Sequence, residues 1–280
     1  MTGAAEWLVC SRFARDEPDA VRLLRRGPGE VASGAGPAAL VVDGDVVVVD
    51  RWREHLPYLA IAGTSATDRR VGAVVEKACE FSAAAGLSAV LSPLVHSSRF
   101  LALERGGMRL VRRVRVLSGD VATLLEGLAG SAEAPPASAG DTGETVSLCP
   151  AGEERLRDIL AVDAASFDDF WRFDSRTLRQ HLDWQDVLLA DAGDEAVGYV
   201  MFGAREGSGS IGRLAVRPQH RGVGLGGALL GAAVRALAAR GARQVSLTCE
   251  AENAIALGLY RSCGFVLLPD RLGVLAIGNL

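Results

Sequence analysis

The sequence predicts an α/β protein of two domains. Residues 214–267 alternate between strand-like and helix-like segments in the order strand, loop, helix, strand, helix, strand. Residues 127–144 are small, polar and proline-bearing, which is typical of a linker. A chain of 280 residues has room for two domains of ordinary size. We therefore expect an N-terminal domain over residues 1–126, a linker over 127–144 and a C-terminal domain over 145–280.

The first strand of this order leads into a glycine-rich loop. Leu214, Ala215 and Val216 form a short apolar run that ends before Pro218, as a buried strand would. Apolar residues at helical spacing then follow from Gly227 and stop near Gly241. Between these two elements the glycines can bring the backbone close to a ligand. They stand at positions 222, 224, 226 and 227.

A loop of this kind predicts an anion site. The start of a helix has unpaired N–H groups and the positive end of the helix dipole, and Arg221 can add a charge-assisted bond. A tight turn with close helix packing explains the same glycines without a ligand. The P-loop signature does not fit, because Gly226 is followed by Gly227 and Ala228 instead of Lys-Ser/Thr. The Rossmann fingerprint is not excluded by spacing, although Glu250 lies beyond the usual position of its acidic residue.

A second motif follows the helix. Residues 244–249 alternate like a strand, residues 250–253 are a polar break, and residues 254–261 have a helical pattern. Another strand is predicted from Cys263.

Together these two motifs resemble the GNAT superfamily of N-acyltransferases. The family's pyrophosphate loop has the pattern Arg/Gln-x-x-Gly-x-Gly/Ala, which Arg221, Gly224 and Gly226 match in order. A second family block is matched by Asn253, Ala256, Leu259, Tyr260, Gly264 and Phe265.

The resemblance implies a fold and an activity. Each domain is expected to be a mixed, mostly antiparallel, twisted sheet flanked by helices. The C-terminal domain is expected to transfer an acetyl group from acetyl-CoA to a primary amine, by direct attack in a ternary complex and without a metal. The acceptor would be a small molecule or a protein N-terminus. The backbone of the first strand would pair with the pantetheine arm and the loop would hold the pyrophosphate. The implied cofactor-binding residues are Leu214, Ala215, Val216, Arg221, Gly222, Val223, Gly224, Leu225, Gly226, Asn253 and Tyr260.

Catalytic groups follow from the same resemblance. Tyr260 would lie near the thioester and protonate the departing thiolate; otherwise it is a packed helix tyrosine with its hydroxyl at the surface. Glu250 could draw the amine proton through a water, or it is a solvated carboxylate at a strand end. Some relatives carry a glutamate where this chain has Thr248, which leaves the base open. Asn253 would contact the cofactor or brace the helix that follows it.

The acceptor is expected to bind the segment between the first two strands of the C-terminal domain, residues 159–184. Phe167, Phe170 and Trp171 could form an apolar slot, with nearby aspartates for a cationic amine. Alternatively, the aromatics anchor a helix pair and the aspartates cap helices, as Asp174 could.

The N-terminal half shows weak internal similarity to the C-terminal half. With an offset of 155 residues, 59–61 fall on 214–216 and Gly86 falls on Gly241 without a gap. Chance similarity between two Ala- and Gly-rich segments is the alternative explanation. Arg221 falls on Ala66 and, after a two-residue deletion, Tyr260 falls on Leu103. The N-terminal half is therefore predicted to be a degenerate copy without a pyrophosphate loop.

Composition limits the partners. A net charge of −4 and a pI near 5.7 argue against a nucleic-acid binder, and the basic stretch 109–115 suits one face of a strand. Five cysteines, at positions 10, 79, 149, 249 and 263, show no metal-ligand spacing. No apolar run is long enough to span a membrane. We expect a cytoplasmic monomer or homodimer with reduced thiols. Two other functions stay open: acetylation of a cysteinyl amine, as in mycothiol synthases, and non-catalytic acyl-CoA binding.

Overall fold

A computed structural model describes residues 26–132 and 146–280. The described chain divides into two compact units. Unit 1 contains residues 26–114 and 270–280, and unit 2 contains residues 115–132 and 146–269.

Unit 1 is a sheet with helices. Its strand order is β1-β2-β3-β4-β12, with β5 also on β12; β3 and β4 are parallel, and the other pairs are antiparallel. The strands β6 (Arg109–Asp120) and β12 (Val266–Gly278) have residues in both units. The other elements are α1 Pro28–Ala32, β1 Ala38–Val42, β2 Asp45–Arg51, β3 Tyr58–Thr64, α2 Val71–Ala84, β4 Ala89–Leu91, β5 Val95–His96 and α3 Phe100–Arg105, with a 3-10 turn over Ser97–Arg99.

Unit 2 is likewise a sheet with helices. Its strand order is β6-β11-β10-β9-β8-β7, in which β10 and β11 are parallel. Its elements are α4 Val121–Ala132, β7 Val146–Ala151, α5 Leu156–Ser166, α6 Ser175–Leu182, β8 Asp186–Ala192, β9 Glu195–Arg205, β10 Ser208–Val216, α7 Leu225–Ala239, β11 Gln244–Glu250 and α8 Ala254–Ser262, with 3-10 turns over Glu153–Arg155 and Pro218–His220.

Helices cover both faces of the unit 2 sheet. On one face the apolar stripe of α7, including Leu229, Leu230 and Val234, packs on Val245 and Leu247 of β11. On the other face α5 and α6 form a second core, built from Ile159, Val162, Leu178, Leu189 and Met201. The predicted class, a mixed and mostly antiparallel sheet flanked by helices in two GNAT-like domains, is confirmed.

Strand β10 contains a β-bulge. Its pairing with β9 passes from Ile211–Phe202 to Arg213–Met201, so Gly212 is the extra residue. Ile211 packs on the α7 face, and strict alternation would put Arg213 on that face too. The bulge turns Arg213 to the α5 face, where it meets Asp163. A β-carbon at Gly212 would lie 2.0 Å from the buried amide of Gln185, which explains the glycine.

Several boundaries differ from the sequence prediction. Helix α7 begins at Leu225, with Gly224 as its N-cap, so two residues assigned to the loop belong to its first turn. Residues 127–132 of the predicted linker lie in α4, where Leu124 and Leu128 are buried at helical spacing that the Gly- and Ala-rich composition masked. The rest of that linker, residues 133–144, lies outside the described residues. Residues 270–280 cluster with unit 1, because β12 pairs there with β4 and β5.

The two units repeat each other, in a different register from the gapless alignment. In unit 1 Tyr58 pairs with Ala89, and in unit 2 Ser208 pairs with Gln244. A bulge follows Ile61 in β3, just as one follows Ile211 in β10. Ile61 therefore corresponds to Ile211, and the predicted match of 59–61 with 214–216 is wrong by several residues. In this register residues 65–70 connect strand and helix in unit 1, and they contain no glycine.

Helix α6 begins as the sequence predicted. The Asp174 carboxylate accepts a bond from the backbone N–H of Thr177 at 2.7 Å. Asp174→Ala should lower the free energy of unfolding by about 1 kcal/mol, because a partly buried helix start loses its cap. Urea unfolding measures this change. Asp169→Ala is the matched control, since its surface ion pair should contribute less than about 0.5 kcal/mol; equal losses in the two variants would refute the capping role.

Candidate active site

A cavity of about 350 Å³ lies where strands β10 and β11 part. Their parallel pairing stops at Ile211–Leu247, whereas β10 stays paired with β9 as far as Val216. The cavity is lined by all the predicted cofactor residues except Val223 and Leu225. Those two side chains pack into the core under α7 instead. The predicted residues that line it are Leu214, Ala215, Val216, Arg221, Gly222, Gly224, Gly226, Asn253 and Tyr260.

The loop presents backbone N–H groups at the start of α7. Gly222 and Gly224 have φ values of 82° and 86°, in the region that favours glycine. The first helical bond runs from the Ala228 N–H to the Gly224 carbonyl at 3.0 Å. The N–H groups of the preceding residues in the first turn therefore have no partner within the helix. With the positive end of the helix dipole, they form a site for an anion.

Arg221 stands at the edge of this loop and is exposed. Its Nε donates to the carbonyl of Val216 at 3.0 Å and its Nη2 to the carbonyl of Ser166 at 3.4 Å. These bonds hold a positive charge beside the first turn of α7.

Asn253 has a structural role that the sequence left open. Its Oδ1 accepts a bond from the backbone N–H of Ala256 at 3.0 Å, as the N-cap of α8. Asn253 therefore braces this helix, and it also lines the cavity.

Tyr260 lines the cavity from α8. It is 7% exposed and meets Phe265 edge to face, with ring centroids 5.9 Å apart. The alternative of a tyrosine with its hydroxyl at the surface is therefore wrong. Burial, with smaller effects of the Cys249 and Cys263 thiols, raises the pKa of Tyr260 well above its usual value. The side chain stays a protonated phenol at neutral pH.

Cys249 lies on β11 beneath this site. Burial, together with the charge of Glu250, raises the pKa of its thiol to about 11. At neutral pH it is a protonated thiol and not a nucleophile. Cys249 thus packs in the core as a small apolar strand residue.

Glu250, at the end of β11, is tied to the predicted acceptor segment. The indole Nε1 of Trp171 donates to Glu250 Oε1 at 2.6 Å. Glu250 is thus not a freely solvated carboxylate. The bond fixes one oxygen of the proposed base and joins residues far apart in the sequence.

The three predicted acceptor aromatics have different environments. Phe167 lines the cavity. Phe170 is buried and packs edge to face on Trp171, with ring centroids 4.9 Å apart. Trp171 reaches Glu250.

The nearby aspartates bond within their own segment. Asp168 accepts from the backbone N–H of Trp171 at 3.0 Å, Asp169 pairs with Arg172 at 3.1 Å, and Asp174 caps α6. These contacts agree with the capping alternative for the aspartates.

Sequence reasoning missed a buried polar cluster behind this segment. Asp163 is fully buried on α5 and accepts bonds from the Tyr199 hydroxyl, from Arg213 Nε at 2.6 Å and from the backbone N–H of Phe173 at 2.7 Å. Burial raises the pKa of Tyr199 well above its usual value, so it remains a hydrogen-bond donor. A signal was available in the sequence: Asp163 follows Val162 within an apolar stretch of a helix.

A second cavity of about 650 Å³ lies at the far ends of α6 and α7. Its lining includes two ion pairs, Arg179 with Glu153 and Arg240 with Asp186. This cavity lies away from the glycine loop, and we assign it no part in the chemistry.

The described part of the chain contains no cluster of three or more His, Cys, Asp or Glu side chains that could hold a metal ion. Across the same ranges, no helix combines the length and the apolarity that a membrane crossing requires.

Comparisons with known proteins show similarity over a part of the chain. The family model described as Acetyltransferase (GNAT) family matches residues 155–265. The mycothiol acetyltransferase of Clavibacter michiganensis subsp. michiganensis (strain NCPPB 382) is 40% identical over 93 residues, which are 33% of this chain and 30% of that protein. The match therefore spans less than a third of that relative's length.

Solved structures give the fold of both units. A tandem GNAT protein from the clavulanic acid biosynthesis pathway is 14% identical with a TM-score of 0.61, over 84% of this chain and 78% of its own. A GCN5-related N-acetyltransferase from Kribbella flavida is 16% identical with a TM-score of 0.57, over 90% and 96%. The chain thus has a tandem GNAT fold, and its residues 155–265 match the acetyltransferase (GNAT) family model.

Proposed function

We propose that unit 2 is an acetyl-CoA-dependent N-acetyltransferase that acylates a primary amine by direct attack in a ternary complex. One observation carries this proposal. The anion site at the start of α7, the strand edge at Leu214–Val216 and the phenol of Tyr260 all face one cavity. A pyrophosphate, an amide-bearing arm and a thioester would each meet a suitable group in that order.

The donor would be held chiefly by backbone. The pyrophosphate accepts bonds from the N–H groups of the first turn of α7, and Arg221 adds a positive charge. The edge of β10 beyond Ile211 offers its peptide groups to the pantetheine amides, as a neighbouring strand would. Gly226 leaves room at the helix start, where a β-carbon would lie 3.2 Å from Leu259.

The chemistry then needs two proton transfers. The amine nitrogen attacks the thioester carbonyl carbon, the tetrahedral intermediate collapses, and the carbon–sulfur bond breaks. Tyr260 donates its proton to the departing sulfur. Its raised pKa keeps that proton in place until a thiolate forms nearby.

Glu250 is the proposed base. It would accept the amine proton through a water, while its Oε1 accepts the bond from the Trp171 indole. Its bond to Trp171 joins it to the segment proposed to bind the acceptor, and Phe167 of that segment lines the cavity, which supports this assignment.

The acceptor is proposed to be a small molecule or a peptide N-terminus that enters beside residues 159–184. The identity to a mycothiol acetyltransferase over 93 residues supports a second candidate, acetylation of a cysteinyl amine. Acetylation of a cysteinyl amine would use the same proposed catalytic residues of unit 2. We also propose a cytoplasmic protein, as a monomer or homodimer, without nucleic-acid or membrane partners.

Gly224→Asp should weaken acetyl-CoA binding by at least about tenfold. The added carboxylate repels the pyrophosphate, and a β-carbon strains a backbone with φ of 86°. Calorimetry on wild type and variant measures the dissociation constants. Gly207→Asp is the matched control, because it places the same side chain at a φ of 78° in the β9–β10 turn, away from the cavity. Equal affinity of wild type and Gly224→Asp would remove the loop from cofactor binding.

Tyr260→Phe should lower kcat by about a hundredfold or more and leave the affinity for acetyl-CoA unchanged. The ring packing on Phe265 is kept and only the acidic hydroxyl is lost. Thiol release from acetyl-CoA over a panel of amines measures the rate, with Tyr58→Phe in unit 1 as the control. A variant as fast as wild type would refute the acid role. Wild-type binding of acetyl-CoA without turnover of any amine would favour a non-catalytic acyl-CoA-binding protein.

A further inference from the structure

Arg213 makes an unusual set of contacts for a strand residue. Its side chain is 10% exposed and its Asp163 partner is fully buried. Nε and Nη2 bond the two carboxylate oxygens at 2.6 and 3.2 Å, which is a bidentate pair. Asp163 has further bonds from Tyr199 and from the backbone of Phe173, so the buried carboxylate is fully engaged.

The same guanidinium also holds the segment between α5 and α6. It lies between two rings, with its central carbon 3.7 Å from the Phe167 centroid and 3.9 Å from the Phe173 centroid. Nη2 donates to the carbonyl of Trp171 at 2.8 Å. Phe167, Trp171 and Phe173 therefore all contact the Arg213 side chain, which fixes the segment 167–173 at both ends and at Trp171.

Two of these contacts reach the reaction site. Phe167 lines the donor cavity, and the Trp171 indole bonds to Glu250. Arg213 itself precedes Leu214, the first residue of the strand edge in the cavity. A lysine could not reproduce this geometry, since it lacks the planar fork that bonds a carboxylate and a carbonyl while stacking between rings.

We infer that Arg213 is a positioning residue of unit 2, which fixes the segment 167–173 and thereby sets where Trp171 holds Glu250. This inference rests on the proposed N-acetyltransferase function. Arg213 is directed away from substrates by its own bonds, so it acts through Trp171. The β-bulge at Gly212 is the device that delivers it to this face.

A double-mutant cycle tests the inference. Arg213→Lys and Trp171→Phe should each lower kcat at least about tenfold, because a small displacement of the base is costly, while the dissociation constant of acetyl-CoA stays the same. The combined variant should be no slower than the slower single variant, since both act on one link. Arg240→Lys, which alters an exposed ion pair of the same unit, should match wild type.

Fluorescence quenching supplies a readout that needs no turnover. The contribution of Trp171 is the difference between a protein and the same protein carrying Trp171→Phe. Acrylamide should quench it more in Arg213→Lys than in the Arg213 background. If wild type acetylates no amine, the proposed function fails, and greater quenching still supports the positioning role.

Three results would overturn the inference: additive losses of kcat, cofactor affinity that falls in parallel with kcat, or Trp171 quenching unchanged by Arg213→Lys. If Arg213→Lys does not fold, Tyr199→Phe takes its place, because it removes one bond to Asp163 and to Arg213 while keeping the ion pair. Like Arg213→Lys, Tyr199→Phe should increase the quenching of Trp171 and lower kcat. Wild-type values for both would equally overturn the inference.

Discussion

The functional part of unit 2 depends on the separation of two parallel strands. β10 and β11 pair from Ser208–Gln244 to Ile211–Leu247 and then part, although β10 stays bonded to β9 as far as Val216. A strand with one paired edge and one open edge is rigid and also able to bond a ligand. The bulge at Gly212 lies at this point, between the paired and the open parts. The glycine loop follows directly, so the strand edge, the loop and the helix start are consecutive in the chain.

The two proposed sides of the site are built in different ways. On the proposed donor side the polar groups are mainly peptide N–H groups at the start of α7, which depend on backbone conformation at Gly222 and Gly224. On the proposed acceptor side they are side chains, fixed by a buried ion pair between Asp163 and Arg213. Such a pair adds little net stability, since two charges are removed from water. Its value here is geometric, because it fixes the conformation of a segment with little regular structure.

The sequence could predict the features that consecutive residues form. The loop, its helix and the block from Asn253 to Phe265 are local patterns, and the structure gathers most of their residues in one cavity. The bond between Trp171 and Glu250 and the cluster around Asp163 join distant segments, so no local pattern contains them. The bulges were missed for a further reason: one inserted residue in a strand leaves its apolar character unchanged, so no local pattern marks Gly212 or Ala62. The linker was misplaced in part because Leu124 and Leu128 are dispersed among small residues.

We propose that the described part of the chain has one CoA loop, the glycine loop of unit 2. The corresponding connection of unit 1, residues 65–70, has no glycine and two arginines before α2. Hydrogen–deuterium exchange with and without acetyl-CoA tests this most directly, together with the binding stoichiometry. We expect one molecule per chain and slower exchange at residues 222–228, with no change at residues 65–70. Unchanged exchange at 222–228 under saturating acetyl-CoA, or protection at 65–70, would contradict the proposal of one CoA loop in unit 2.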